Sequence, residues 1–434
     1  MGKTLLSYFQ EFDCQEIAQF YIHCEEPVDD TRCRNYYRFT DMDALKSIFS
    51  FRRFGKVFGA QDIRTERATG RTDKGWVGSL YQYGERRTAA IYALRNLLWK
   101  FSRWDSKQLW KWVEDFDPDV VFFASGDYGF MYDIARRIAE HVNKPLAVCC
   151  VDDFYLFNRN EASLLGRIEH RVFLKTVHRT MARSSAIFTI CGALQKEYEK
   201  LFEKNCYVLP TAAVKQVLSE DAHGSGVAYL GNLELQRHRQ LIAIGRALQA
   251  IDVPGVPKYL DVYSCERSQE ILKMLTPENG IRFHGAVSAE KVLEVMRTSL
   301  AVIHTESFDP WIQKIVRYSV STKIAESLMN GPCLIAYGPE GIASMDYLKE
   351  NGAAYTITDP EQLGAGLKEI LTDARMRREI VKNARELAMK HHSVQSGPVQ
   401  LKRRLAQICR EQWGYEGITD QLRLPVWQYR KNHI

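Results

Sequence analysis

The sequence predicts an α/β protein with two doubly wound parallel-sheet domains in succession. Short apolar runs of strand length alternate with amphipathic helical patterns, and the alternation starts a second time after the turn-rich residues 223–226. Continuous apolar strands separated by helices are typical of parallel sheets covered on both faces. A chain of 434 residues is long enough for two such domains.

The first series lies in residues 4–215. Six of its apolar runs are strand-like, at residues 17–23, 56–58, 119–124, 145–151, 185–190 and 206–209. Amphipathic helical patterns lie between several of them, as at residues 132–142 and 193–200. The first residues of the chain already have a helical pattern, so no strand is predicted before the first helix.

The second series supplies six further strands, at residues 227–230, 259–263, 281–284, 300–304, 333–336 and 354–357. Open parallel sheets bind ligands beyond the carboxyl ends of their strands. A cleft between two such domains is therefore the expected ligand site.

Composition sets wider bounds on function. The 45% hydrophobic and 26% charged residues indicate a folded soluble protein, and the net charge of +6 fits an anionic substrate, an anionic membrane surface or nucleic acid equally well. The ten cysteines lack metal-ligand spacing, so no metal site is predicted. Cys149 and Cys150 lie in an apolar run where a disulfide framework would make little sense, which predicts a reducing, cytoplasmic location. No apolar run reaches the roughly 18 residues of a membrane span.

Residues 321–332 carry the most informative motif. Ser321 or Thr322 can cap a helix that Gly331 and Pro332 terminate. A lysine in the first turn, Lys323, is disfavoured by the helix dipole unless an anion compensates for it, and a bound phosphate would do so. Glu326, one turn later, can accept hydrogen bonds from two adjacent sugar hydroxyls. Together they predict a nucleotide site; the alternative is a solvated Lys and Glu at helical spacing.

A second motif follows the strand at residues 227–230. The turn contains Gly231 and Asn232, and Arg237 stands at the start of the next helix. Small residues let backbone amides approach a diphosphate, and an arginine can neutralise the charge that accumulates on a leaving nucleotide diphosphate.

These residues resemble the C-terminal domain of glycosyltransferases of the GT-B fold, specifically the large group of mostly retaining, metal-independent enzymes. Further markers appear in order: residues 283–285, residues 300–304 leading to Glu306, and then residues 321–326. The resemblance implies that Arg237 and Lys323 act on the diphosphate and that Glu326 binds the ribose. It also assigns donor binding to Gly231, Asn232, His284, Ser321 and Thr322.

The sequence departs from this family at two positions. Related enzymes often carry a first glutamate eight residues before the ribose-binding one, and Tyr318 stands there. Glu306 is the candidate replacement, with residues 309–320 forming a longer loop. Asn232 occupies the place of a second basic residue in the turn.

Three aspartates in the first half follow predicted strands. Asp127, Asp152 and Asp153 are candidates for binding acceptor or donor-sugar hydroxyls, and Asp127 and Asp153 are counted with Arg237, Lys323 and Glu306 as candidate catalytic residues. Helix capping after a strand is an equally good explanation for all three aspartates.

The resemblance implies three segments: a Rossmann-like acceptor-side domain at residues 1–220, a Rossmann-like nucleotide-sugar-binding domain at residues 221–395, and a C-terminal helix at residues 396–434 that returns to the first domain. The implied reaction is hexosyltransferase-type transfer from a nucleotide-diphosphate sugar to an acceptor hydroxyl, on a glycan or a lipid-linked acceptor, in capsule, exopolysaccharide or cell-wall glycan synthesis. The donor is a co-substrate; no cofactor, no metal and no nucleic-acid partner are expected.

Two other functions stay open: a non-catalytic glycosyltransferase-like subunit, and a nucleotide-sugar 2-epimerase of the same fold. The basic residues of the segment 64–87 are Arg64, Arg67, Arg71, Lys74, Arg86 and Arg87. They predict either a solvated loop or peripheral contact with the inner face of the membrane.

Overall fold

A computed structural model describes residues 3–24, 26, 32–50, 52, 54–62, 88–157, 163–213, 215, 224–413 and 424–428. The chain divides into two compact units. The N-terminal unit runs to Leu209 and takes up the chain again from Pro398, and the C-terminal unit is Pro210–Gly397. The segment 64–87 lies outside the described residues.

The N-terminal unit alternates strands and helices. Its first seven strands are β1 Ile17–Tyr21, β2 Asn35–Arg38, β3 Lys56–Phe58, β4 Val121–Ala124, β5 Leu146–Cys150, β6 Ala186–Thr189 and β7 Cys206–Val208. Its first seven helices are α1 Lys3–Tyr8, α2 Asp41–Phe49, α3 Ala89–Phe101, α4 Lys107–Phe116, α5 Gly129–His141, α6 Leu164–Arg183 and α7 Gly192–Phe202.

The C-terminal unit holds a six-stranded, all-parallel sheet in the order β10-β9-β8-β11-β12-β13. Its strands are β8 Gly226–Leu230, β9 Leu260–Tyr263, β10 Ile281–Gly285, β11 Ser299–Thr305, β12 Cys333–Tyr337 and β13 Tyr355–Ile357. Its helices are α8 Arg237–Ala250, α9 Gln269–Leu272, α10 Ala289–Thr298, α11 Pro310–Val316, α12 Thr322–Asn330, α13 Ala343–Glu350, α14 Leu363–Thr372 and α15 Ala374–His391. Every strand predicted here from apolar runs is present.

The end of the chain returns to the N-terminal unit. After helix α16, Pro398–Trp413, the strand β14, Leu424–Gln428, pairs in parallel with β1 on one side and β4 on the other. The sheet therefore has eight strands in the order β3-β2-β1-β14-β4-β5-β6-β7. Leu401 and Leu405 of α16 are buried in the same core as Phe9 and Phe122.

Three details differ from the sequence predictions. Strand β3 runs antiparallel to β2, so one edge of the N-terminal sheet is not parallel. The strands β2 and β14 were not predicted. Strand β2 has only four residues and begins and ends with the polar Asn35 and Arg38, and β14 contains Pro425, a residue that normally argues against a central strand. Residues 309–320, predicted to be a loop, contain α11, which Asp309 caps through the amides of Trp311 and Ile312.

Candidate functional site

The turn after β8 is closed by its own tyrosine. Tyr229 Oη donates to the Asn232 carbonyl at 2.5 Å, and the Gly231 amide donates to the Tyr263 carbonyl at 3.1 Å. A Cβ atom at position 231 would lie 2.4 Å from Tyr229 Oη, so a glycine is required for this packing. Burial raises the pKa of Tyr229 to about 12, which keeps its hydroxyl a donor.

The turn then reaches α8 through two residues in the left-handed region. Leu235 has φ 58° and Gln236 has φ 59°, a conformation that costs a non-glycine residue about 1 kcal/mol or more. Backbone strain of this kind is held in place by surrounding contacts, and it often occurs at functional sites. Here Leu235 packs against a hydrophobic core of the C-terminal unit, and the first residue of the helix, Arg237, bonds back to Asn232 in the turn.

Arg237 joins the turn to the carboxyl end of β11. Its Nη2 donates to both Glu306 carboxylate oxygens at 3.2 and 3.1 Å, its Nη1 donates to Asn232 Oδ1 at 2.8 Å, and its Nε donates to the Thr305 carbonyl at 3.2 Å. The Arg237 and Glu306 side chains are only 16% and 3% exposed. Burial opposes the charge of Arg237, but Glu306, Tyr229 and Glu234 together outweigh it, so the pKa of Arg237 lies above its ordinary value.

His304 stands beside this ion pair. Its Nε2 lies 3.6 Å from Glu306 Oε1 and 3.2 Å from Ser344 Oγ. Burial lowers the pKa of His304; the Glu306 carboxylate opposes this shift and Arg237 reinforces it. Burial therefore favours the neutral imidazole, in which one ring nitrogen donates a hydrogen bond and the other accepts one.

Lys323 approaches the same turn from α12. Ser321 is the N-cap of this helix and accepts from the Lys323 amide at 3.4 Å, as predicted from the sequence. Lys323 Nζ donates to the Leu230 carbonyl at 2.9 Å, immediately before Gly231, and the side chain is exposed. Thr322 is exposed beside it. The structure thus brings Lys323 and Arg237 to one turn.

Glu326 lies one helical turn after Lys323 and is half-buried. Among the described residues, none forms a hydrogen bond or an ion pair with the Glu326 carboxylate. Tyr318, eight residues earlier, is buried, with the Arg317 guanidinium 5.1 Å from the centre of its ring. Glu306 is therefore the carboxylate that forms an ion pair with Arg237.

His284 lies on the other side of the turn, at the end of β10. Its Nε2 is 2.7 Å from Asp261 Oδ1, and its ring stacks on Tyr263 with centroids 4.5 Å apart. The Tyr263 carbonyl accepts from the Gly231 amide, so Tyr263 connects His284 to the turn that contains Gly231, the glycine turn.

In the N-terminal unit, Asp153 clamps the loop that follows β5. Its Oδ1 accepts from the Tyr155 amide at 3.0 Å, the Leu156 amide at 2.9 Å and the Tyr198 hydroxyl at 3.0 Å. Burial raises the pKa of Asp153, while these hydrogen bonds lower it. The three internal donors account for its burial without a substrate.

Asp127 has a different environment after β4. Tyr92 Oη donates to its Oδ2 at 2.6 Å, and its Oδ1 is buried without a hydrogen-bond partner among the described residues. Nearby Glu169, on α6, accepts from Asn96 Nδ2 at 3.0 Å. Burial, followed by the charge of Asp127, raises the pKa of Glu169 to about 7. Sequence reasoning missed Glu169, and nothing in its local pattern marks it.

Within the described part of the chain, no group of three or more His, Cys, Asp or Glu side chains could hold a metal ion. No helix among the described residues is long and apolar enough to cross a membrane.

The part of the chain that matches a known family contains this site. Residues 237–401, which start at Arg237 and include Glu306, Lys323 and Glu326, match the model of the family described as glycosyl transferase-like. This segment is similar to a glycosyl transferase-like domain. The match confirms the enzyme class predicted from the sequence, a glycosyltransferase. No curated protein matches the chain in sequence.

Solved structures agree with the glycosyl transferase-like domain in fold. TarM of S. aureus matches with a TM-score of 0.52 at 12% identity over 68% of this chain, which spans 57% of the length of TarM. Sucrose-phosphate synthase from Thermosynechococcus elongatus gives 0.53 at 12% identity, covering 72% of this chain and 79% of that one. HepE of Anabaena gives 0.51 at 16% identity, covering 69% and 82%. The predicted GT-B architecture of two Rossmann-like domains is confirmed.

Proposed function

We propose that the chain transfers a sugar from a nucleotide-diphosphate donor to an acceptor hydroxyl. The observation that carries the proposal is the position of Lys323, an exposed cation in the first turn of α12 whose Nζ is held against the end of β8. A cation at a helix start is unfavourable unless an anion lies nearby. The diphosphate of a donor is an anion of the right kind, and the amides of the same helix end would assist in binding it.

Glu326 supports the nucleotide part of this proposal. It lies on the same helix as Lys323, one turn further on, and no described residue forms a hydrogen bond or an ion pair with its carboxylate. Two carboxylate oxygens can accept from the two adjacent hydroxyls of a ribose. Lys323 and Glu326 would then hold the diphosphate and the ribose of one donor.

Arg237 enters the proposal in a different role from the one that the sequence suggests. Nε, Nη1 and Nη2 of its guanidinium all donate to protein acceptors, and its charge is balanced by Glu306. We therefore propose that Arg237 orders the glycine turn, whereas Lys323 supplies the positive charge for the departing diphosphate. Departure of that group is the difficult step, so charge placed there increases the rate.

Ligands named for two structural neighbours suggest the nucleotide. HepE has been crystallised with UDP-glucose and with UDP, and TarM with UDP. We propose a UDP-sugar as the donor for this chain, with a glycan or a lipid-linked molecule as the acceptor. A role in capsule, exopolysaccharide or cell-wall glycan synthesis, in the cytoplasm, belongs to the same proposal.

A nucleotide screen tests the proposal. The purified chain is heated with UDP-, GDP-, ADP- and TDP-sugars, and sugar release is followed in parallel. Lys323→Ala and Glu326→Ala are compared with Lys368→Ala and Glu386→Ala, which remove exposed charges elsewhere in the same unit. We expect UDP-sugars to raise the melting temperature, and loss of the charge-assisted contact of Lys323 to slow sugar release about ten- to a hundredfold. An unchanged Lys323→Ala protein would refute the site.

The ion pair of Arg237 also favours one alternative, a nucleotide-binding subunit without turnover. The guanidinium is engaged by Glu306, so the proposal assigns the stabilisation of a leaving diphosphate to the charge of Lys323. Stabilisation by UDP that depends on Lys323 but is accompanied by no sugar release, with a range of acceptors, would support this alternative.

A further inference from the structure

Large exposed apolar side chains concentrate on three helices of the N-terminal unit. Seven of them, with exposed fractions between 50% and 82%, lie on α2, α3 and α6: Phe49, Leu94, Leu97, Phe101, Leu164, Ile168 and Val172. In the described part of the C-terminal unit the exposed large apolar residues are Met274, Trp311 and Met389, which are far apart in the sequence. Single exposed apolar residues are ordinary, but a concentration of this kind marks an interaction site.

Internal bonds place the three helices side by side. Asp41 of α2 accepts from Arg95 Nε at 3.0 Å and from Trp99 Nε1 at 2.7 Å, both on α3. Asn96 of α3 donates to Glu169 of α6 at 3.0 Å. The apolar residues therefore belong to one layer of adjacent helices, and we refer to their solvent-exposed side as the apolar–basic face.

Helix α6 shows most clearly how this face is built. Leu164, Ile168 and Val172 follow each other at four-residue spacing, which places them in one stripe along the helix. Arg167, Arg171 and Lys175 repeat at the same spacing directly beside them, and all three are exposed. An exposed apolar stripe flanked by a basic stripe is typical of a helix that lies in a membrane interface.

The acidic side chains of the three helices form internal hydrogen bonds. The three helices contain three acidic residues, Asp41, Asp43 and Glu169, and each is used internally: Asp41 and Glu169 join the helices, and Asp43 accepts from the Thr40 amide in the capping box of α2. Exposed basic residues remain on all three helices, at Lys46, Lys100, Arg167, Arg171 and Lys175. The charge on the face is thus positive, which complements an anionic surface.

We infer that the apolar–basic face of α2, α3 and α6 docks the N-terminal unit on an anionic phospholipid membrane. Apolar side chains enter the boundary between headgroups and acyl chains while the flanking arginines and lysines contact lipid phosphates. The face is defined by residues other than those of the segment 64–87, and the inference requires no sugar transfer.

Vesicle sedimentation tests the inference with the full chain. Vesicles of phosphatidylglycerol and phosphatidylcholine in equal parts are compared with vesicles of phosphatidylcholine alone. We expect binding to the anionic vesicles that weakens as salt is added, and little binding to the neutral ones. Ile168→Ser with Val172→Ser, and separately Arg167→Gln with Arg171→Gln, should each weaken binding about tenfold or more.

The control removes the same charge from another surface: Arg378→Gln with Arg385→Gln, both exposed on α15, should bind like the wild type. The inference is overturned if the wild type does not sediment with anionic vesicles at low salt, or if the control loses as much binding as the α6 variants. It is also overturned if sedimentation velocity shows a dimer that Ile168→Ser dissociates while vesicle binding is absent. A UDP thermal shift on the same preparations distinguishes this failure from failure of the proposed function.

Discussion

Arg237 and Glu306, 69 residues apart in the chain, form an ion pair that fastens the glycine turn after β8 to the end of β11. Glu306 is almost completely buried with His304 beside it, and the Thr305 carbonyl accepts from Arg237. A buried pair contributes little compared with two apolar residues, but removing one partner leaves the other charge uncompensated. Substitution of either residue alone is therefore expected to destabilise the protein.

We expect Glu306→Gln to lower the free energy of unfolding by about 3 kcal/mol, because the guanidinium of Arg237 keeps its charge and loses its carboxylate. Chemical denaturation measures the change. The double variant Glu306→Gln with Arg237→Met should regain part of the loss, since no unpaired charge remains. A loss within about 0.5 kcal/mol for the single variant would show that the pair is not structural.

The glycine turn gives a second prediction. Gly231→Ala should destabilise the C-terminal unit by about 1–3 kcal/mol, because the new Cβ would lie 2.4 Å from Tyr229 Oη and the buried ring would have to move. Gly364→Ala is the matched control: Gly364 is in α14, and a Cβ added there would meet no atom outside the local helix backbone within 4 Å. An alanine in a helix should leave stability unchanged or raise it by up to about 1 kcal/mol. Equal melting temperatures for the two variants would contradict the clash.

Sequence reasoning predicted the parts of this site that depend on local pattern. The apolar runs, the Ser321 cap and the position of Lys323 in the first turn are determined within a few residues. The pairing of Arg237 with Glu306 depends on two strand ends that are distant in sequence. The motif therefore suggested a diphosphate ligand for Arg237, and it gave no sign of the carboxylate that contacts Arg237 in the fold. Asp153 shows the same limitation, because its partners Tyr155 and Tyr198 meet only in the folded unit.

Glu169 gives a pH-dependent prediction. Burial and the charge of Asp127 raise its pKa from 4.5 to about 7, so the folded state binds more protons than the unfolded state between these values. Its contribution to stability is full below about pH 4.5 and is lost as the pH rises through 7. Because the group is partly solvated, we expect a loss of only about 1–2 kcal/mol in the wild type between pH 5 and 8. In Glu169→Gln this part of the pH dependence should disappear.

Denaturant titrations of both proteins at several pH values measure this difference. Parallel curves for the wild type and Glu169→Gln would show that Glu169 titrates normally. The side-chain oxygen of a glutamine at position 169 can still accept from Asn96 Nδ2, so the variant is expected to fold.

The last strand of the chain carries the fourth prediction. Strand β14 pairs with five residues of β1 and three of β4, and it separates β1–β3 from β4–β7 in the N-terminal sheet. A chain that ends at Trp413 should lose the ordered N-terminal sheet, because the facing edges of β1 and β4 would be left without backbone partners. A chain that ends at Gln428 keeps the strand and serves as the control.

Amide hydrogen exchange provides the measurement, since it reports on each strand separately. We expect β1 and β4 to lose protection in the shorter chain while β8, β11 and β12 of the C-terminal sheet keep theirs. A synthetic peptide of residues 414–434 added to the shorter chain should restore protection by strand addition, because the vacant position between β1 and β4 accepts a parallel strand in one register. Full protection of β1 and β4 without residues 414–434 would mean that the two halves of the sheet hold together without β14.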